Sequence, residues 1–205
     1  MRTRIKICGL TNLSDVLYAA SIGVDAFGFV FAESPRRVSP EVAGDIISHL
    51  PSFVTAVGVF VDEDEGKVKE IASICGLNTL QFHGLESPSY CSKFEQNVIK
   101  AFRLKGCEIV EEVEKFKAYR KVVKSLLLDC SQVDEQGWEV AAIVKPLGQI
   151  ILAGGLKPEN IASAIQKVRP YAVDISSGVE VSPGIKDHKK MAQLVKEVGG
   201  ADETA

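Results

Sequence analysis

Histidine is scarce in this chain, and cysteine is never paired at short range. His49, His83 and His188 are far apart in sequence, and Cys8, Cys75, Cys91, Cys107 and Cys130 form an odd set without a Cys-x-x-Cys step. Neither pattern has the ligand spacing of a zinc site or the even count of a disulfide framework, so no metal and mostly buried thiols are expected. No stretch approaches the roughly 20 apolar residues of a membrane span, and the charged residues near Met1 precede no signal-like run. A cytoplasmic protein without a membrane partner is expected. Also missing is any excess of positive charge: 24 Lys and Arg stand against 27 Asp and Glu, a net charge of -3. With basic residues interspersed among acids, a nucleic-acid surface is excluded and a small ligand is favoured. There is no linker, low-complexity tract or internal repeat.

What is present is alternation. Short apolar runs at Arg4–Cys8, Asp25–Phe31, Val54–Val61, Thr79–His83, Val98–Phe102, Ser125–Asp129, Gln149–Ala153 and Tyr171–Ser176 are separated by amphipathic stretches. The runs are near-continuous in hydrophobicity, as parallel strands covered on both faces require. Helix starts fall near Thr11, Ser39-Pro40, Asp64, Ser87, Cys107, Pro158 and Asp187, with a shorter segment at Trp138–Val144. Pro158 opens a segment with Ile161, Ala164, Ile165 and Val168 on one face. Eight βα units in succession predict an α/β protein, a single (βα)8 barrel over residues 1–205. This is a minimal size, since such barrels typically need about 250 residues and reach down to about 200. The rival open doubly wound sheet calls for Gly-x-Gly-x-x-Gly after its first strand, and Cys8-Gly9-Leu10-Thr11-Asn12 lacks it.

Barrel enzymes carry their reacting groups at the carboxyl ends of the strands. Cys8 ends the first strand just before a helix, whose positive end is expected to lower the thiol pKa and supply thiolate as a base. Asp129 ends Leu126-Leu127-Leu128-Asp129, where desolvation is expected to raise its pKa and keep a protonated acid. Gly154-Gly155 after strand seven and Ser176-Ser177-Gly178 after strand eight match a phosphate cradle of exposed backbone N–H groups. Arg36, after strand two, has the fork to bind a substrate carboxylate. Gln81 and His83 are expected to put one polar side chain on each face of strand four.

These residues resemble the phosphoribosylanthranilate isomerase family nearly end to end. The likeness is carried by Lys6-Ile7-Cys8-Gly9-Leu10-Thr11, Gly28-Phe29-Val30-Phe31, Ser34-Pro35-Arg36, Val57-Gly58-Val59-Phe60, Leu80-Gln81-Phe82-His83-Gly84, Leu127-Leu128-Asp129, Ala153-Gly154-Gly155-Leu156 and Val173-Asp174-Ile175-Ser176-Ser177-Gly178-Val179-Glu180. The resemblance implies an Amadori rearrangement in tryptophan biosynthesis, with Cys8 as base and Asp129 as acid. It implies no cofactor, a phosphosugar substrate, phosphate on Gly154, Gly155, Ser176, Ser177 and Gly178, and Arg36 facing the anthranilate carboxylate. Asp174 and His83 follow as further substrate contacts, and the protein would be a monomer or a homodimer.

One segment departs from the family pattern. A glycine-rich Gly-Gly-x-Gly-x-x-Phe-Asp-Trp loop is usual after strand six, where this chain has the shorter Cys130-Ser131-Gln132-Val133-Asp134-Glu135-Gln136-Gly137-Trp138. Because such a loop covers the substrate, a second reading is a phosphosugar-binding barrel with impaired or lost turnover. A third is a related phosphosugar isomerase, against which Cys8 weighs, since those commonly place aspartate there.

Overall fold

Residues 2–104, 109–131 and 134–203 are described by the computed structural model. Eight parallel strands close into a barrel in sequence order: β1 (Arg4–Cys8), β2 (Ala26–Val30), β3 (Thr55–Phe60), β4 (Thr79–Phe82), β5 (Asn97–Arg103), β6 (Ser125–Asp129), β7 (Gln149–Ala153) and β8 (Ala172–Ile175). β8 pairs back onto β1 with Lys6 opposite Asp174, and β1 pairs with β2 with Cys8 opposite Gly28. The expected architecture is the observed one.

Strand alternation explains the two cores. Ile5 and Ile7, Phe27 and Phe29, Leu80 and Phe82, and Leu126 and Leu128 point outward and are buried under the helices. Val57, Ile99, Ala101, Leu127, Ile151, Ala153 and Ala172 form a separate cluster inside the barrel. Burying a Phe or Leu side chain contributes about 1.5–3 kcal/mol, so the outward set supplies most of the closure. The inward positions of β1, β4 and β8 are different in kind, because Lys6, Gln81 and Asp174 place polar groups in the interior.

The helices are α1 (Leu13–Ser21), α2 (Pro40–Ser48), α3 (Glu65–Cys75), α4 (Pro88–Cys91), α5 (Ile109–Tyr119), α6 (Asp134–Val144), α7 (Ile161–Val168) and α8 (His188–Glu203). Their starts follow from caps: Asn12 accepts from Asp15 N, Ser39 from Val42 N, and Asp64 from Gly66 N and Lys67 N. Gly76 closes α3 in the left-handed region at φ 64°. Ile161, Ala164, Ile165 and Val168 are all buried along α7 as their spacing requires.

Four boundaries differ from the sequence reading. α7 begins at Ile161, because Lys157–Asn160 forms a turn in which Lys157 N donates to Asn160 Oδ1 at 2.9 Å. α4 is a single turn, and α6 begins four residues before the expected Trp138. The expected helix start at Cys107 lies outside the described residues, as do positions 132–133 of the short sixth loop. The fourth difference is an unexpected hairpin, β9 (Glu180–Ser182) with β10 (Ile185–Lys186), between β8 and α8.

Candidate active site

Cys8 leaves β1 pointing into the barrel mouth, and the groups around it come from four segments. Lys6, two residues earlier on the same face, donates to both carboxylate oxygens of Asp174 at 2.8 Å, and this pair is only 3% and 8% exposed. Gly28 on β2 makes room for both: a methyl there would stand 2.7 Å from Cys8 Sγ and 3.1 Å from Lys6 Nζ. Lys186 of β10 donates to the Cys8 carbonyl oxygen at 2.6 Å and to Glu180 Oε1 at 2.7 Å. Glu180 in turn accepts from Arg36 Nε at 2.8 Å and Nη2 at 2.7 Å.

The thiol is not the preformed thiolate that the sequence led us to expect. Burial pushes the Cys8 pKa up, and the opposing pull of Lys6 does not fully offset it. The charges that bear most on the sulfur are those of Lys6, Asp174 and Lys186, with burial the largest influence. Arg36 also differs from expectation. It lines the mouth, but its Nε–Nη2 edge is taken by Glu180, so a substrate carboxylate would meet an ion pair rather than a free fork. Burial pushes the Glu180 carboxyl up, yet bonds from Arg36 and Lys186 prevail and hold it at about 2.

Asp129 stands at the end of β6 across the mouth. Its Oδ1 accepts from Ser131 N at 3.0 Å, while His83 Nε2 and Arg103 Nε lie 3.7 Å and 3.6 Å from Oδ2. Burial pushes this carboxyl up, as anticipated, but His83 and Ser131 outweigh it and hold it below the ordinary carboxylate range. These partners favour the carboxylate over the expected protonated acid. Gln81 and His83 both face inward, correcting the expectation of one on each face: residues two apart on a strand share a side. Gln81 Oε1 is buried without a hydrogen-bond partner, and His83 Nε2 has only the longer 3.7 Å approach to Asp129. The unsatisfied Gln81 oxygen and the loosely held His83 nitrogen beside Asp129 mark a wall built to meet a polar molecule.

The loop that carries His83 is clamped from outside the barrel. Lys100 on β5 donates to Phe82 O at 3.2 Å, Gly84 O at 2.8 Å and Glu86 Oε2 at 3.1 Å. Glu86 also accepts from Asp62 N at 2.8 Å and Gly84 N at 2.9 Å.

The third wall comes from the loops after β7 and β8. Gly154 and Gly155 take φ of 89° and 66°, which only glycine adopts without strain. A side chain at Gly154 would also collide with Asp129 Oδ1 and Ser131 N, tying the diglycine to the acid wall. Ser176 and Ser177 line the mouth beside it; Gly178 sits behind them, where a Cβ would collide with the Leu156 carbonyl oxygen. Together these walls enclose a cleft of about 740 Å³ that brings Cys8, Arg36, His83, Asp129, Gly154, Gly155, Asp174, Ser176 and Ser177 to one end of the barrel. Sequence reasoning assigned no role to Lys6, Gln81, Glu180 or Lys186. For Lys6 and Gln81 the signal was available, as a charged and an amide residue inside otherwise apolar strands.

Fold and site define a (βα)8-barrel protein with a thiol and a carboxylate facing each other across a mouth whose last two loops are open backbone. Residues 5–197 match the family model described as N-(5'phosphoribosyl)anthranilate (PRA) isomerase. An N-(5'-phosphoribosyl)anthranilate isomerase of Geobacter sp. (strain M21) is 47% identical over 203 residues, covering 95% of this chain and 97% of the relative. Phosphoribosyl anthranilate isomerase from Thermotoga maritima superposes with a TM-score of 0.88 at 41% identity, covering 97% of this chain and 99% of that one. A crystal structure of such an isomerase in complex with reduced 1-(o-carboxyphenylamino)-1-deoxyribulose 5-phosphate matches with TM-score 0.88 and 42% identity over 97% of this chain and 99% of that chain. The chain belongs to the N-(5'-phosphoribosyl)anthranilate isomerase family.

Proposed function

We propose that this protein, acting as one catalytic domain, converts N-(5-phosphoribosyl)anthranilate into 1-(2-carboxyphenylamino)-1-deoxyribulose 5-phosphate, an isomerisation of tryptophan biosynthesis in the cytoplasm. The observation that carries the reading is the meeting of Cys8 and Asp129 at one cleft beside the Gly154–Gly155 and Ser176–Ser177 loops. Those loops offer backbone N–H groups to the phosphate, which fixes the sugar with one end against Cys8 and the other against Asp129. The carboxyl of Asp129 gives its proton to the furanose oxygen, opening the ring to an iminium. Cys8 thiolate removes the proton from C2, and the resulting enolamine tautomerises to the ketone. The iminium accepts the electrons, so the residues present suffice for the chemistry.

The resting protonation states sharpen this account. Burial of Cys8 favours the thiol and the partners of Asp129 favour the carboxylate, whereas the working pair needs the reverse, a difference of one proton moved across the cleft. Bound substrate favours that move. Excluding water from Asp129 strengthens the desolvation that already pushes its pKa up, while His83 and the unsatisfied Gln81 oxygen gain the substrate as a further partner. Loss of anthranilate-type fluorescence on adding purified protein to phosphoribosylanthranilate tests the function. Tight phosphosugar binding with no fluorescence change would instead support the binding-only barrel.

A further inference from the structure

The proposed base is buried, and burial works against it. Something in the site must keep its thiolate within reach. Four segments present charge to Cys8: Lys6 from β1, Asp174 from β8, Lys186 from β10, and Arg36 from the loop after β2. Two of these are committed elsewhere. Arg36 spends its fork on Glu180, and Lys186 Nζ is shared among the Cys8 carbonyl oxygen, Ser176 O and Glu180 Oε1.

Lys6 is placed differently. It follows the strand alternation onto the same inward face as Cys8, and its Nζ and the sulfur flank the single point that Gly28 leaves free of side chain. Asp174, opposite it in the β1–β8 register, grips the ammonium at 2.8 Å with both oxygens and so fixes its direction. A lysine alone in a barrel interior would shed its proton. Burial does push the Lys6 pKa down, but Asp174 and then Cys8 more than restore it, so the group stays an ammonium.

We propose that Lys6, held by Asp174, is a positioning residue whose fixed ammonium stabilises the Cys8 thiolate and thereby makes Cys8 the base. Asp174 then serves chiefly as the anchor of Lys6, in place of the substrate contact suggested by the family resemblance. The proposal rests on Cys8 being the base, and its test does not depend on turnover.

The rate of carbamidomethylation of Cys8 by iodoacetamide is followed across a pH series, with the Cys8 peptide resolved by mass spectrometry from the other four cysteines. Lys6→Met is expected to slow Cys8 alkylation about tenfold or more near pH 8, while leaving the limiting rate at high pH, where every thiol is ionised, unchanged. Lys6→Met combined with Asp174→Asn leaves no lone buried charge and so folds even if the single variant does not. It is expected to displace the pH profile in the same direction but by less, because Asp174, which raises the thiol, is neutralised too, and Lys6→Arg to restore part of the rate. An unchanged profile in either folded variant overturns the proposal, as does a rate lowered equally at every pH, which marks a change of access rather than of charge. An inactive enzyme with a Lys6-dependent profile would refute the isomerase reading alone.

Discussion

The sulfur at position 8 dictates glycine at position 28. A methyl there would stand 2.7 Å from Cys8 Sγ and 3.1 Å from Lys6 Nζ, so Gly28→Ala must displace the base or its cation. We expect the turnover of this variant to fall at least about tenfold for a stability loss of about 1–3 kcal/mol, the usual cost of overpacking, read by steady-state kinetics and denaturant melts. Cys8→Ser and Asp129→Asn are each expected to lower turnover by about a hundredfold or more while the circular dichroism spectrum stays as in the parent. The identities of these two groups were legible in the sequence because strand ends announce themselves. Their resting protonation was not. It depends on Lys6, His83 and Ser131, which reach Cys8 and Asp129 only once the barrel closes.

At the scale of elements, the β9–β10 hairpin delivers Glu180 to Arg36 and Lys186 to the end of β1. Three residues and two residues of strand leave too little pattern to read against the turn signals around them. The pH dependence it confers has a definite sign. Glu180 is held at about 2 in the fold against an ordinary 4.5, so its stabilisation is complete above 4.5 and is lost as pH falls through about 2. Glu180→Gln is therefore expected to be less stable at neutral pH, with a shallower loss of stability between those limits. Denaturant melts at stepped pH measure both. The clamp on the loop after β4 yields a second expectation. Lys100→Met strands Glu86 as a buried, uncompensated charge and is expected to cost about 3–5 kcal/mol, the range for breaking such pairs. Apolar periodicity located all eight strands and Ser87 marked the start of α4, whereas the start of α7 was placed too early because prolines open turns as well as helices.

At the scale of the whole molecule, no helix among the described residues is long and apolar enough to cross a membrane, and no group of potential ligands among them could hold a metal ion. The loops after β7 and β8 are the proposed seat of the substrate phosphate. Because an anion bound there binds only the folded barrel, inorganic phosphate at about a hundred times its dissociation constant should stabilise the fold by about 2.7 kcal/mol. Calorimetric melts with and without phosphate read that shift, and Gly154→Ala should abolish it. The most direct test of the central claim, that Cys8 and Asp129 act together across one cleft, is the continuous fluorescence assay on phosphoribosylanthranilate with the parent, each single variant and the Cys8→Ser/Asp129→Asn double variant. We predict conversion by the parent and, because the two groups serve one reaction, a double variant hardly slower than either single one. Conversion at the parent rate by either single variant would contradict the account.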